Sequence, residues 1–270
     1  MSGINRRHMV ATLAGALASG TLSSALAQAP APGRRSWRAV QALLDRYVAT
    51  AKLAGAAVAI GDSATPLTYL RSGHLALDAA APFDEDAVCR VYSMTKPVTG
   101  LAAMLLLEAG TLRLDQPVAD ILPELRHLRV AIDPSKGLEA RPATRTMTIR
   151  HLLTHTAGLA YWTPERGTDA LSTAYRARGI TPGNYGAGLA RPGYGPQAVG
   201  LEDMVRRLAE VPLAAEPGTL WRYSVGLDVM GLVIERISGV GLDVFVGTRL
   251  FTPWACPRRA SRCRPPRPLG

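Results

Sequence analysis

Val91-Tyr92-Ser93-Met94-Thr95-Lys96-Pro97 leads directly into Val98-Thr99-Gly100-Leu101-Ala102-Ala103-Met104-Leu105-Leu106-Leu107-Glu108. The second run is apolar on nearly every helical face and stops at Gly110, so it predicts a buried core helix. Ser93 then stands at the N-terminus of that helix, where the dipole favours developing negative charge. A separation of three residues stacks Ser93 and Lys96 on one face, within mutual reach. A serine hydroxyl is a poor nucleophile until a neighbouring base takes its proton, and an unprotonated lysine is such a base. A serine in this place is also a common helix cap. Taken alone, the pair supports the cap and the nucleophile equally.

A chain of 270 residues can hold one large domain or two small ones. Its formal charge of +10 suggests a nucleic-acid partner until the charges are located. Nine of them are arginines in residues 1–35 and 254–270, segments without a single acid, which leaves +1 for the body. No nucleic-acid partner is therefore expected. Cys256 and Cys263 lie in the same basic tail, so Cys89 is the only cysteine of the body and has no partner there for a disulfide. Its nearness to Ser93 favours a core position over a reactive one.

The N-terminus reads as an export signal. Arg6-Arg7 precede an apolar run from Met9 to Leu26, and Ala25-Leu26-Ala27 supplies a small-x-small cleavage site. Asn5-Arg6-Arg7-His8-Met9-Val10 resembles a twin-arginine signal, and a general secretory signal would look similar. Gly, Ser and Thr interrupt the run, which argues against a permanent membrane span. Residues 1–27 are thus the signal and 28–36 a linker. The body occupies 37–253, and the mature protein is expected outside the cytoplasm, in a periplasm.

Within the body, Val40, Leu43, Leu44, Tyr47 and Val48 recur at helical spacing. Gly55 to Ile60 and Leu67 to Leu77 read as two strands joined by a turn near Asp62-Ser63. Thr111 to Val118 is a loop leading to a short helix. Thr148-Ile149-Arg150-His151-Leu152-Leu153-Thr154-His155-Thr156-Ala157-Gly158-Leu159 reads as a helix closed by a glycine. Tyr161 to Gly200 is rich in Gly, Pro and Tyr with little periodicity, as expected of a long surface excursion covering a binding site. Glu202 to Leu213 and Gly226 to Ser238 are helical.

Two further segments decide the reading of Ser93. One is the stretch ending His155-Thr156-Ala157-Gly158-Leu159. The other is Pro217-Gly218-Thr219-Leu220-Trp221-Arg222-Tyr223-Ser224, followed after Val225 by Gly226-Leu227-Asp228. With Ser93-Met94-Thr95-Lys96 they stand in the order and approximate spacing of the serine beta-lactamase-like family, which the chain resembles from about Trp37 to Pro253. That family includes class C beta-lactamases, D-alanyl-D-alanine peptidases and carboxylesterases. The resemblance implies an α/β fold, a mainly antiparallel sheet flanked by helices beside a helical region. It implies Ser93 as nucleophile, Lys96 as its proton acceptor or electrostatic partner, and Tyr223 as a group sharing general-base duty. The Ser93 backbone N–H would be one oxyanion donor. The partner is a small-molecule ester or amide, with no cofactor and no metal. His151 and His155 have the four-residue spacing of a zinc pair, yet no Glu lies between them and no third ligand is evident. They read as core or hydrogen-bonded histidines.

Class C beta-lactamases carry Tyr-x-Asn at the tyrosine motif, and the asparagine amide engages the substrate. The third position here is Val225, so the chain looks more like the esterase branch, with beta-lactamase or peptidase activity as the alternative. A non-catalytic binding module is a reading of a different class. Retention of Ser93, Lys96 and Tyr223 together argues against it.

After Pro253 the family's expected Leu-Gly-Met-type turn is replaced by Trp254-Ala255-Cys256 and an Arg/Pro run to Gly270. Restoring one base before the tryptophan codon yields Leu/Met/Val, then Gly, then Leu/Met/Val. Residues 254–270 are therefore expected to be an out-of-frame tail and the sheet to be incomplete. The family's third motif, Lys-Thr-Gly or His-Thr-Gly, is not found downstream of Tyr223. A chain ending so is expected to fold poorly and show little activity, as a non-functional product would.

Overall fold

A computed structural model describes residues 36–62, 65–89, 91–161, 169–180 and 200–254. These residues gather into two compact units, one ending at residue 89 and one beginning after it. The expected signal, all but Ser36 of the expected linker and all but Trp254 of the expected out-of-frame tail lie outside the described residues, as does most of the Gly/Pro-rich stretch after Tyr161.

The first unit is one helix and one hairpin. Helix α1 (Arg38–Ala49) follows the apolar spacing, although Leu44 alone of that stripe is buried, and Leu43 and Tyr47 remain largely exposed. Strands β1 (Gly55–Asp62) and β2 (Thr65–Gly73) pair antiparallel, with Val58 opposite Leu70 and Ala59 opposite Tyr69. The second strand ends four residues before the expected Leu77. Gly73 turns the chain there with φ +74°, and a Cβ would sit 2.2 Å from the Ala54 carbonyl oxygen. The Gln41 side-chain amide donates to the Arg71 carbonyl at 3.0 Å and ties α1 to β2.

The second unit is mainly helical. A 3₁₀ turn at Tyr92–Met94 runs into α2 (Thr95–Glu108), which ends before Gly110 at φ +70°. Two further 3₁₀ turns, Val118–Asp120 and Pro123–Leu125, precede the short antiparallel pair β3 (Arg129–Ala131) and β4 (Ala140–Pro142). Then come α3 (Ile149–Leu153), α4 (Ala170–Ala177), α5 (Leu201–Leu208), α6 (Gly226–Ser238) and α7 (Leu242–Val246), closed by a π turn at Gly247–Phe251. One apolar core joins them, with Ala102 and Ala103 of α2, Ile149 and Leu152 of α3, and Met230 and Ile234 of α6 all fully buried. No described helix is long and apolar enough to cross a membrane.

Several expectations are corrected. The helix after Thr148 stops at Leu153 rather than running to Gly158, because His155 takes a left-handed conformation, φ +57°. The helix after Gly200 stops at Leu208. Leu213 has left it and lies parallel to β3, donating to the Arg129 carbonyl at 2.7 Å and accepting from the Ala131 N–H at 2.9 Å. The stretch after Tyr161 contains a packed helix, α4, whose Leu171, Ala174 and Tyr175 are buried and whose N-terminus is capped by Asp169. Cys89 is exposed, since it ends an irregular segment rather than joining the apolar helix that follows Ser93. Helix α2 is not buried all round: Thr99, Ala102, Ala103 and Leu106 are covered, while Leu101 and Met104 face solvent.

Candidate active site

The turn before α2 and the segment before α6 meet. Ser93 lies in the 3₁₀ turn, preceded by Tyr92 with φ +45°, an uncommon conformation for a bulky residue and a strained approach to the serine. Lys96 lies one turn further on, in the first turn of α2, and its Nζ donates to Ser93 Oγ at 3.4 Å. Tyr223, 130 residues away in sequence, brings its hydroxyl to 3.0 Å from Ser93 Oγ. All three residues singled out in the sequence thus converge on one oxygen.

The electrostatics favour an ionisable phenol. Burial alone would raise Tyr223, but hydrogen bonds with Lys96 and Ser93 and the lysine charge outweigh it, and the phenol is held below its ordinary value of 10.0. The Lys96 ammonium lies 4.9 Å from the Tyr223 ring centroid and 5.7 Å from that of Tyr161, a cation held among aromatic faces. Asp228, in the first turn of α6, is pushed up by burial, an effect the Lys96 charge opposes.

What holds Tyr223 in place is the segment from His155 to Ala160. Its backbone carbonyls at Thr156, Gly158 and Ala160 accept from Gly218, Ala214 and Val225, so the chain from Leu213 to Val225 is laid along it. Gly158 is required here, with φ +77° and the Ala215 carbonyl oxygen 2.1 Å from where a Cβ would stand. The Tyr175 hydroxyl of α4 accepts from the Ala160 N–H at 3.1 Å, one residue before Tyr161. Tyr161 in turn meets the Tyr223 ring edge-on, with centroids 4.8 Å apart. Its part in the site left no local trace in the sequence, because it opens the Gly/Pro-rich stretch.

The two histidines face different partners. His151 Nδ1 accepts from the Thr148 N–H at 3.2 Å, and burial with nearby Arg145 and Arg150 lowers its pKa. His155 Nδ1 accepts from the Ser224 N–H at 3.2 Å, and its ring lies 4.8 Å from that of Tyr223. No group of three or more His, Cys, Asp or Glu side chains able to hold a metal occurs among the described residues. Val225, read as a position facing substrate, is wholly buried and donates its N–H to the Ala160 carbonyl, so its side chain lines the core.

Residues 40–261 match the family model described as Beta-lactamase. The chain belongs to the beta-lactamase family. It is 37% identical to esterase EstB of Burkholderia gladioli over 215 residues, 79% of this chain and 48% of that protein. It is 32% identical to lovastatin esterase of Penicillium rubens over 210 residues, 76% of this chain and 48% of that one. Among solved structures it resembles EstCE1, a hydrolase with promiscuous acyltransferase activity, with a TM-score of 0.64 and 27% identity over 81% of this chain and 51% of that one. The expected beta-lactamase/transpeptidase-like fold is thus the one found. The chain spans about half the length of the curated relatives it matches.

Proposed function

We propose that the protein is a serine hydrolase that cleaves carboxylic esters through an acyl-enzyme on Ser93. The observation that carries this reading is the convergence of the Tyr223 hydroxyl and Lys96 Nζ on Ser93 Oγ, at 3.0 and 3.4 Å. Tyr223, as phenolate, takes the Ser93 proton while Oγ attacks the ester carbonyl carbon. The tetrahedral intermediate expels the alcohol, which leaves with a proton from Tyr223. Water then attacks the acyl carbon, releases the acid and restores the serine hydroxyl. Lys96 acts as the cation that favours the phenolate, the electrostatic member of the pair.

Esters are preferred over beta-lactams and peptides because the relatives named for an activity are esterases and acyltransferases. The absence of an amide at Val225 no longer supports that choice, since the position is buried. The proposal includes export, on the Arg6-Arg7 pair and the apolar run that follows, with a mature N-terminus at Gln28.

Because the matched relatives are about twice as long, the first measurement is acylation rather than turnover. A fluorophosphonate probe should modify the intact chain once, at Ser93 by peptide mass spectrometry, and Ser93→Ala should abolish the adduct. Short nitrophenyl esters should compete with the probe, whereas a chromogenic cephalosporin should not. Folded protein that forms no Ser93 adduct would overturn the reading, and cephalosporin competition without ester competition would move it to the beta-lactamase alternative.

A further inference from the structure

His155 touches four consecutive residues of the tyrosine segment. Its carbonyl accepts from the Arg222 N–H at 2.9 Å, and its Nδ1 accepts from the Ser224 N–H at 3.2 Å. The Ser224 hydroxyl stands 3.1 Å from the same nitrogen, while its oxygen accepts from the Gly226 N–H at 3.2 Å. The ring lies over Tyr223, centroids 4.8 Å apart and planes 32° apart, and meets Trp221 edge-on at 6.2 Å. A tie between two loops needs only the backbone bonds. The ring contacts go further, because they bear on the phenol that approaches Ser93.

The donors around Nδ1 set the tautomer. That nitrogen faces the Ser224 N–H, so it presents its lone pair, and the neutral ring carries its proton on Nε2. A proton added to Nδ1 would face the Ser224 N–H, donor against donor, and leave the Ser224 hydroxyl oxygen as its acceptor, which loosens the backbone half of the clamp. It would also place a second cation near Lys96, the charged group whose field already reaches this ring from α2. From the segment before α6 the ionisable group facing it is Tyr223 itself. Burial and Lys96 together keep the imidazole below its ordinary value, so the neutral clamp persists into mildly acidic solution.

We propose that His155 is a positioning residue of the acyl-transfer site: pinned through Nδ1 by Ser224, its neutral ring holds Tyr223 with the phenolic oxygen on Ser93, and protonation of Nδ1 loosens that hold. The inference rests on the acyl-enzyme reading for its consequence in rate, but not for the contact itself.

Two measurements on the full chain separate these. Fluorine NMR of fluorotyrosine-labelled protein, with the Tyr223 signal assigned by its loss in Tyr223→Phe, follows the phenol from about pH 8 down to about pH 4.5. The Tyr223 signal should show an inflection below the ordinary imidazole range, absent in His155→Asn and His155→Phe. Asn tolerates the left-handed backbone but removes the ring, and Phe keeps a ring without Nδ1. The second measurement is the rate of fluorophosphonate acylation near neutral pH, which should fall about tenfold or more in His155→Asn with probe binding little changed. Ser224→Ala keeps the N–H donor and loses the hydroxyl, so it should lie between His155→Asn and the unaltered chain.

A Tyr223 signal without the inflection in the unaltered chain, or unmoved by His155→Asn, overturns the inference. So does an acylation rate unchanged in folded His155→Asn. If the unaltered chain shows the inflection but no acylation, the acyl-enzyme reading fails and the His155–Tyr223 coupling stands. If a His155 variant does not fold, Ser224→Ala decides by the same two readouts.

Discussion

Helices α2 and α6 pack against each other, and each carries one side of the candidate site, but they are covered very differently. From Gly226 to Ile234 every residue of α6 except Asp228 is buried. In α2 only Thr99, Ala102, Ala103 and Leu106 are, while Leu101 and Met104 are 38% and 43% exposed. The same contrast extends to what each helix presents. Tyr223 is fixed by Tyr161, by His155 and by a backbone ladder along residues 156–160. Ser93 stands in a single 3₁₀ turn behind a left-handed Tyr92. The base side is over-determined and, among the described residues, the nucleophile stands on a single 3₁₀ turn, so the two should respond differently to substitution.

The largest effect should come from the covered helix. Met230→Ala removes a fully buried side chain at the centre of the core and should cost about 2–5 kcal/mol, read as a lower urea midpoint. Next comes the ladder that supports Tyr223. Gly158→Ala adds a methyl against a backbone oxygen at a φ that favours glycine, and should cost ~1–3 kcal/mol by the same measurement. If Gly158→Ala leaves the midpoint unchanged, the base side is not over-determined and the comparison fails on that side.

These contrasts also explain what could be read from the chain. Ser93, Lys96 and Tyr223 could be picked out as candidates because each stands in a short contiguous motif, although Tyr223 reaches Ser93 only through the fold. The bounds of α6 were legible because Gly226 opens an unbroken apolar periodicity and Gly239, at φ +72°, closes it. The end of α3 was not, since a histidine in a left-handed conformation carries none of the glycine or proline that marks a break. Helix α4 was hidden because eight residues with good periodicity sit inside forty of Gly/Pro-rich composition. Its capping signal is local, Asp169 three residues before Ser172, and the carboxylate accepts from both the N–H and the hydroxyl of Ser172. Apolar composition predicted that α2 can be buried. It carries no information about which faces find cover.

A third prediction concerns acid. The Glu216 carboxylate accepts from the Thr144 N–H and hydroxyl, from the Arg145 N–H and from Arg141, and so ties the approach to α3 to the chain before Gly218. Burial works against its charge, but these bonds outweigh burial and hold it below its ordinary value of 4.5. A depressed carboxylate stabilises the fold above the unfolded-state value and ceases to do so as pH falls through the folded-state one. Stability should therefore decline as the solution is taken below that ordinary value. Glu216→Gln should lower stability at neutral pH and flatten the acid decline, seen as melting temperature against pH. An acid decline of unchanged steepness in Glu216→Gln would show that other carboxylates govern it.

The smallest effect is the sharpest test of the α2–α6 contrast. Met104→Lys puts a charge on the exposed face of α2, where the lysine stem can lie along the helix and its ammonium reach water. Lysine is as good a helix former as methionine, so neither propensity nor burial opposes the change. The urea midpoint should move by no more than about 0.5 kcal/mol equivalent. A loss approaching that of Met230→Ala would mean that the Met104 face is covered in solution, and that α2 and α6 are alike after all.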